Sequence, residues 1–191
     1  MERIGWNGVL ATMKLNDRMR NHFARLLASA LFLAAALAGA TDTELKVGDV
    51  FPDLSGFALE GELPTGLPGK IMVVDFWASW CGPCRRTFPL MEELHHRFAN
   101  QGLVILAVNE DKSRPAMEEF LRLYPVTFGV VRDAKKKLAA TVNVPSLPTS
   151  YVVNDDGKVH SIQTGEQIIQ NRKAFIKEVE RLLQQNKRKT P

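Results

Sequence analysis

Cys81 and Cys84 are the only cysteines in a chain of 191 residues, and two residues separate them. A disulfide between positions so close closes almost no loop. The entropy that a cross-link removes from an unfolded chain grows with loop length, so this pair is a poor structural staple. Reactivity explains it better. At this spacing two thiols can exchange electrons with another disulfide, join a metal site or anchor a c-type haem. A haem site needs His directly after the second cysteine, where Arg85 stands. Structural zinc needs four ligands, and the adjacent His95 and His96 lack finger spacing. A dithiol/disulfide cycle with no metal and no bound cofactor is therefore the expectation. The alternative is a non-catalytic copper-binding or chaperone module whose thiolates hold Cu(I).

Reactive sulfurs need elements that position them. Ile71 to Trp77 is an apolar run broken only by Asp75, the pattern of a central strand buried on both faces. The cysteine pair follows at once. Beyond it Phe88, Met91, Leu94 and Phe98 recur at helical spacing, with Pro89 expected to bend the helix. A strand-to-helix junction puts Cys81 at a helix N-terminus, where unpaired N–H groups and the macrodipole favour a thiolate. Cys81 is the expected nucleophile, and Cys84, one turn on and more buried, the resolving thiol. A carboxylate inside an apolar strand is expensive unless protonated or hydrogen-bonded, so Asp75 is the candidate proton acceptor for Cys84. Trp77 and Trp80 frame the motif, and two expectations stand beside each other: Trp80 packing on a bound substrate, or both rings covering the domain core.

Elsewhere, residues 41 to 69 suggest an N-terminal extension with a small hairpin, from the stretches Val47 to Phe51 and Phe57 to Leu59. Further strands are expected at 103–108 and 126–131. Helices are expected at 134–141 and after the Ser113 cap, with Pro115 in its first turn. A hairpin should join 149–153 to 158–162 around Asn154-Asp155-Asp156-Gly157, before a last helix at 171–185. This pattern gives an α/β domain, a mixed central sheet flanked by helices.

Twenty-five Lys and Arg oppose 21 Asp and Glu, but residues 1–40 hold five of the basic residues and two of the acidic ones. The remainder is nearly neutral, 20 against 19, and offers no case for a nucleic-acid partner. Arg18, Arg20 and Arg25 precede the apolar run from Leu26 to Leu37, and Ala38-Gly39-Ala40 supplies small residues for cleavage. Residues 1–40 therefore read as a signal peptide cut after Ala40, with translation starting at Met1, Met13 or Met19. Retained as an anchor, the same leader would tether the domain to the membrane. Residues 41–186 form the domain and 187–191 a basic tail. Export places the cysteines in an oxidising, periplasmic setting.

The segment Val74-Asp75-Phe76-Trp77-Ala78-Ser79-Trp80-Cys81-Gly82-Pro83-Cys84 resembles the active-site segment of thioredoxin. Three more stretches resemble the exported TlpA/ResA branch of that family. They are Lys46 to Asp49 with Phe51-Pro52-Asp53, the long insertion between Asn109 and Leu147, and Leu147-Pro148-Thr149. The resemblance implies a thioredoxin-like fold with a central insertion, a cis-proline at Pro148 facing the cysteines, and Trp80, Gly82, Pro83, Leu147 and Pro148 lining the substrate groove. It also implies disulfide-containing protein substrates and a membrane thiol reductant as electron donor. The Gly82-Pro83 dipeptide favours a reductant over a disulfide-forming oxidant, within a family spanning about −270 to −120 mV. Relatives often carry an acid three positions after the second cysteine; Thr87 stands there, leaving Asp75 to serve. Ser146 replaces the usual glycine two residues before the cis-proline, with Pro145 beside it. A peroxidase of the same superfamily is disfavoured, because Val74 and Ala78 occupy its proline and hydroxyl positions.

Overall fold

The computed structural model describes residues 44–189, so the expected leader lies outside the described residues. The apolar run forms β1 (Ile71–Trp77), buried at every position, and the motif leads into α1 (Cys84–Phe98). There follow β2 (Leu103–Asn109), α2 (Arg114–Leu123), β3 (Gly129–Arg132), α3 (Lys137–Thr141), β4 (Thr149–Val153), β5 (Val159–Thr164), α4 (Gly165–Gln170) and α5 (Arg172–Lys189). The sheet order is β3-β2-β1-β4-β5. β1, β2 and β3 run parallel, β4 is antiparallel to β1, and β5 returns antiparallel to β4.

Strand alternation sorts the core. Ile71, Val73 and Trp77 face one side and pack with Cys84, Phe88, Met91 and Leu94 of α1 and with apolar residues of α2, α4 and α5. Met72, Val74 and Phe76 face the other side and meet Phe51, Leu54 and α3. Asp75 shares the parity of Val73 and Trp77, so its carboxyl belongs to the face beneath α1. Each large apolar side chain so enclosed contributes about 1.5–3 kcal/mol.

The N-terminal extension corrects the expected hairpin. Its two stretches do not pair with each other: Val50 bridges to Lys158 and Glu60 to Arg132, on separate edges of the sheet. Pro52 and a 3-10 turn at Leu54–Gly56 interrupt the ladder a hairpin would need, while the sheet edges offer free backbone groups. β3 begins three residues later than expected, because Thr127 gives both its N–H and its hydroxyl to the Glu92 carboxylate on α1. α3 is shorter than expected, because the Asp133 carboxylate accepts from the N–H groups of Lys137 and Ala139 and fixes its start. Helix α5 runs four residues past its expected end into the basic tail. Lys187 there reaches Gln101 and Lys189 reaches Asp155. Among the described residues no helix is long and apolar enough to cross a membrane.

Candidate active site

Cys81 and Cys84 are joined by a disulfide, S–S 2.08 Å, at the start of α1. The turn before it is closed by the Cys81 N–H donating to the Ala78 carbonyl at 3.0 Å. The Cys84 N–H points at Cys81 Sγ, 3.3 Å away. A helix-terminal N–H aimed at this sulfur favours negative charge on it, and no acidic residue stands in the first turn to oppose that. Cys84 is fully buried and Cys81 is 3% exposed, so what solvent access the pair has is through Cys81. Gly82 and Trp80 beside it are exposed, Trp80 by 67%, whereas Trp77 is completely buried against Phe88 and Phe120. The two tryptophans that frame the motif thus divide into one rim residue and one core residue.

Beneath α1 lies Asp75, fully buried and the only acidic residue within a strand among the described residues. Its Oδ1 accepts a hydrogen bond of 2.5 Å from the Ser150 hydroxyl on β4, the residue paired with it across the sheet. Its Oδ2 accepts none among the described residues. Burial pushes the carboxyl up from its usual 3.8 to about 7, with the Ser150 bond pulling weakly the other way. Thr87, where relatives carry an acid, is buried and donates its hydroxyl to the Cys84 carbonyl at 3.2 Å.

The Leu147-Pro148 peptide bond is cis, as the resemblance implies. Pro148 immediately precedes β4, and the pairing of Phe76 with Thr149 puts it at the end of the sheet from which β1 leads to the cysteines. It is buried, its carbonyl held at 2.8 Å by the Gly165 N–H, and Leu147 is half-buried against both cores. A β-carbon on Gly165 would sit 2.3 Å from the Pro148 ring, so only glycine fits there. Ser79 and Arg85, on either side of the motif, open onto a cavity of about 320 Å³ shared with Glu119, Leu123 and Tyr124 of the insertion.

The residues that sequence reasoning missed are Ser150, Gly165, Ser79 and Asp111. Strand parity would have put Ser150 on the Val152 face, and the Asn109-Glu110-Asp111 run at the end of an apolar strand was a polar signal left unused. Nothing local marked Gly165. The Thr164-x-x-Gln167 capping box did announce α4, the helix it begins.

With this geometry in place, the relatives become informative. A family model described as thioredoxin-like matches residues 69–159. The thiol-disulfide oxidoreductase ResA of Bacillus subtilis (strain 168) is 36% identical over 116 residues, 61% of this chain and just under two thirds (63%) of that protein. Its namesake in Bacillus thuringiensis (strain Al Hakam) is 32% identical over 139 residues, covering 71% of this chain and 80% of the relative. The chain belongs to the thioredoxin-like thiol-disulfide oxidoreductases. Among solved structures, a putative thiol:disulfide interchange protein DsbE from Chlorobium tepidum matches with a TM-score of 0.63 and 32% identity, covering 75% of this chain and 99% of that one. Within this thioredoxin-like family, the five-stranded mixed sheet flanked by helices is the common scaffold, and the Cys81–Cys84 pair is where this member carries its disulfide.

Proposed function

We propose that this chain is an exported thiol-disulfide reductase acting on proteins outside the cytoplasm, with residues 1–40 as leader and 41–186 as the redox domain. One observation carries the reading: a Cys81–Cys84 disulfide at the start of α1, a helix that packs on the sheet face to which the fully buried Asp75 belongs. In the reduced protein, the Cys81 thiolate attacks one sulfur of a partner disulfide. That S–S bond breaks, a mixed disulfide forms, and the partner's other sulfur leaves as a thiolate. Ionised Asp75 then takes the Cys84 proton. The Cys84 thiolate attacks Cys81 Sγ and expels the second partner sulfur, so the partner gains two electrons and the Cys81–Cys84 disulfide is left behind. A membrane thiol reductant returns the electrons. Trp80, Gly82 and Pro83 form the rim over which the partner lies, and Leu147 with cis-Pro148 shapes the groove wall.

Two measurements test this. The pair equilibrated against glutathione should show a reducing potential, near the thioredoxin end of the range from about −270 to −120 mV. Cys84→Ser expressed with its leader should accumulate mixed disulfides with periplasmic proteins, while Cys81→Ser should trap none. A strongly oxidising potential would reverse the direction of the reaction. A reduced protein that binds Cu(I) yet opens no disulfide would replace catalysis with copper carriage.

A further inference from the structure

Ser79 stands two residues before Cys81, just past the end of the sheet. The last main-chain rung between β2 and the β1 side is the Glu110 N–H donating to the Trp77 carbonyl at 2.9 Å. The next donor along, the Ser79 N–H, goes to a side chain: Asp111 Oδ2, at 2.8 Å. The Ser79 hydroxyl donates to Asp111 Oδ1 at 3.0 Å. The same carboxylate accepts the Asn109 side-chain amide at 2.8 Å, and the Asp111 N–H returns a bond of 3.0 Å to Asn109 Oδ1. Asp111 is only 3% exposed. Its backbone is anchored in turn, because Arg132 at the end of β3 donates to the carbonyls of Asp111 and Lys112. Arg132 is itself locked to Glu60 of the N-terminal extension through both carboxylate oxygens, and Arg114 of α2 shares that Glu60. Three segments distant in sequence thus converge on the turn that ends in the nucleophile.

We propose that Asp111 is a positioning residue for the thiol-disulfide exchange described above, holding the 78–81 turn so that Cys81 Sγ meets a partner disulfide along one fixed approach. The inference rests on that reading of the site. Attack on a disulfide requires the three sulfurs close to a line, and misplacement of a reacting atom by about 1 Å can lower a rate by about 100-fold. Nothing else among the described residues ties the Ser79 N–H, so removal of the Asp111 carboxylate leaves the turn only its Cys81–Ala78 hydrogen bond while the cysteines and Asp75 are unaltered.

The experiment uses the reduced full-length domain and oxidised glutathione as the probe, with the second-order rate followed by stopped flow. Asp111→Ala should slow the reaction by about 10- to 100-fold. Asp111→Asn, whose amide oxygen can still accept the Ser79 N–H, should recover much of it, and Ser79→Ala, which keeps the N–H and loses only the hydroxyl, should cost no more than about threefold. A purely structural role predicts a different pattern, in which rates track the thermal midpoints of the variants and the amide gives no rescue. If Asp111→Ala does not fold, Asp111→Asn against the Asp111→Asn, Ser79→Ala double variant decides, since positioning through Ser79 requires their effects to be non-additive. Folded Asp111→Ala reacting at the wild-type rate overturns the proposal. Wild-type protein inert toward glutathione overturns instead the redox reading on which it rests.

Discussion

Asp75 and Asp111 are both buried carboxylates near the reactive end of the sheet, yet the chain treats them in opposite ways. Asp75 lies inside a strand, where the backbone is committed to its ladder and only a facing side chain can reach the carboxyl. Ser150 is the one donor it has among the described residues. Asp111 lies just past a strand end, where main-chain and side-chain donors are free to turn inward, and three of them meet its two oxygens. Burial with a single donor disfavours the charge and raises the carboxyl toward neutral pH; a full set of charge-assisted hydrogen bonds makes a carboxylate into an anchor. The same residue type thus yields a proton acceptor in one place and a fastening in the other.

The largest effect that could break this contrast concerns proton transfer. Asp75→Asn preserves shape and the contact with Ser150 but cannot take a proton from Cys84. Resolution of a mixed disulfide at pH 7 should slow by about 100-fold, the lower end for loss of a positioned acid–base group. In the wild type this step should accelerate as pH rises through about 7, where Asp75 ionises. In the variant that rise should vanish. Equal pH profiles would remove Asp75 from the reaction.

Stability should show the same contrast with opposite signs. Because the folded carboxyl binds its proton up to about pH 7 and the unfolded one only to near 3.8, the folded state holds more protons across that window. The Asp75 contribution to stability should therefore be fully present below about 3.8, fall as pH rises to about 7, and stay flat beyond. The loss is up to roughly 4 kcal/mol, at about 1.4 kcal/mol for each pH unit crossed. Asp75→Asn should remove this contribution and be the more stable protein at pH 8. Asp111→Ala should be destabilised, by about 2–4 kcal/mol, since it strands buried donors. Urea unfolding at pH 5 and 8 measures both, and a destabilised Asp75→Asn at pH 8 would contradict the account of its burial.

How much of this the amino-acid sequence disclosed follows from how local each cause is. The apolar run with one carboxylate, the cysteine spacing and the helical stripe from Phe88 to Phe98 are set by neighbours in sequence, and each stands in the structure where expected. The role of Asp111 was illegible because only Asn109 among its partners is local: Ser79 lies 32 positions away, and the Arg132–Glu60 pair that braces it spans 72. The N-terminal hairpin failed for a related reason. Its stretches found better partners on two sheet edges, which only the assembled sheet provides. The short α4 was announced by its capping box and still missed, because six residues carry too little apolar periodicity to be seen.

Smaller changes sharpen the Asp75 side alone. Gly165→Ala would drive a β-carbon into the Pro148 ring, two residues before Ser150, and neither backbone nor proline ring can yield easily. The expected loss is about 1–3 kcal/mol of stability, measured by urea unfolding, with slower exchange as the cis-proline loop shifts.

The smallest expected effect tests the single donor. Ser150→Ala removes the only hydrogen bond among the described residues that favours ionised Asp75, so the carboxyl should move further up from about 7, never down. At pH 7 a smaller fraction of Asp75 would then be ready to accept the Cys84 proton. Resolution should slow by a factor of about 2 to 10, the weight of one hydrogen bond to a charged group after partial compensation. The distinguishing feature is recovery: raising the pH should restore the wild-type rate, because the base is still present and only its ionisation has moved. Asp75→Asn should show no such recovery. If Ser150→Ala were equally slow at every pH, the hydroxyl would be serving packing instead, and the distinction between a carboxyl with one donor and a carboxylate with three would lose its chemical meaning.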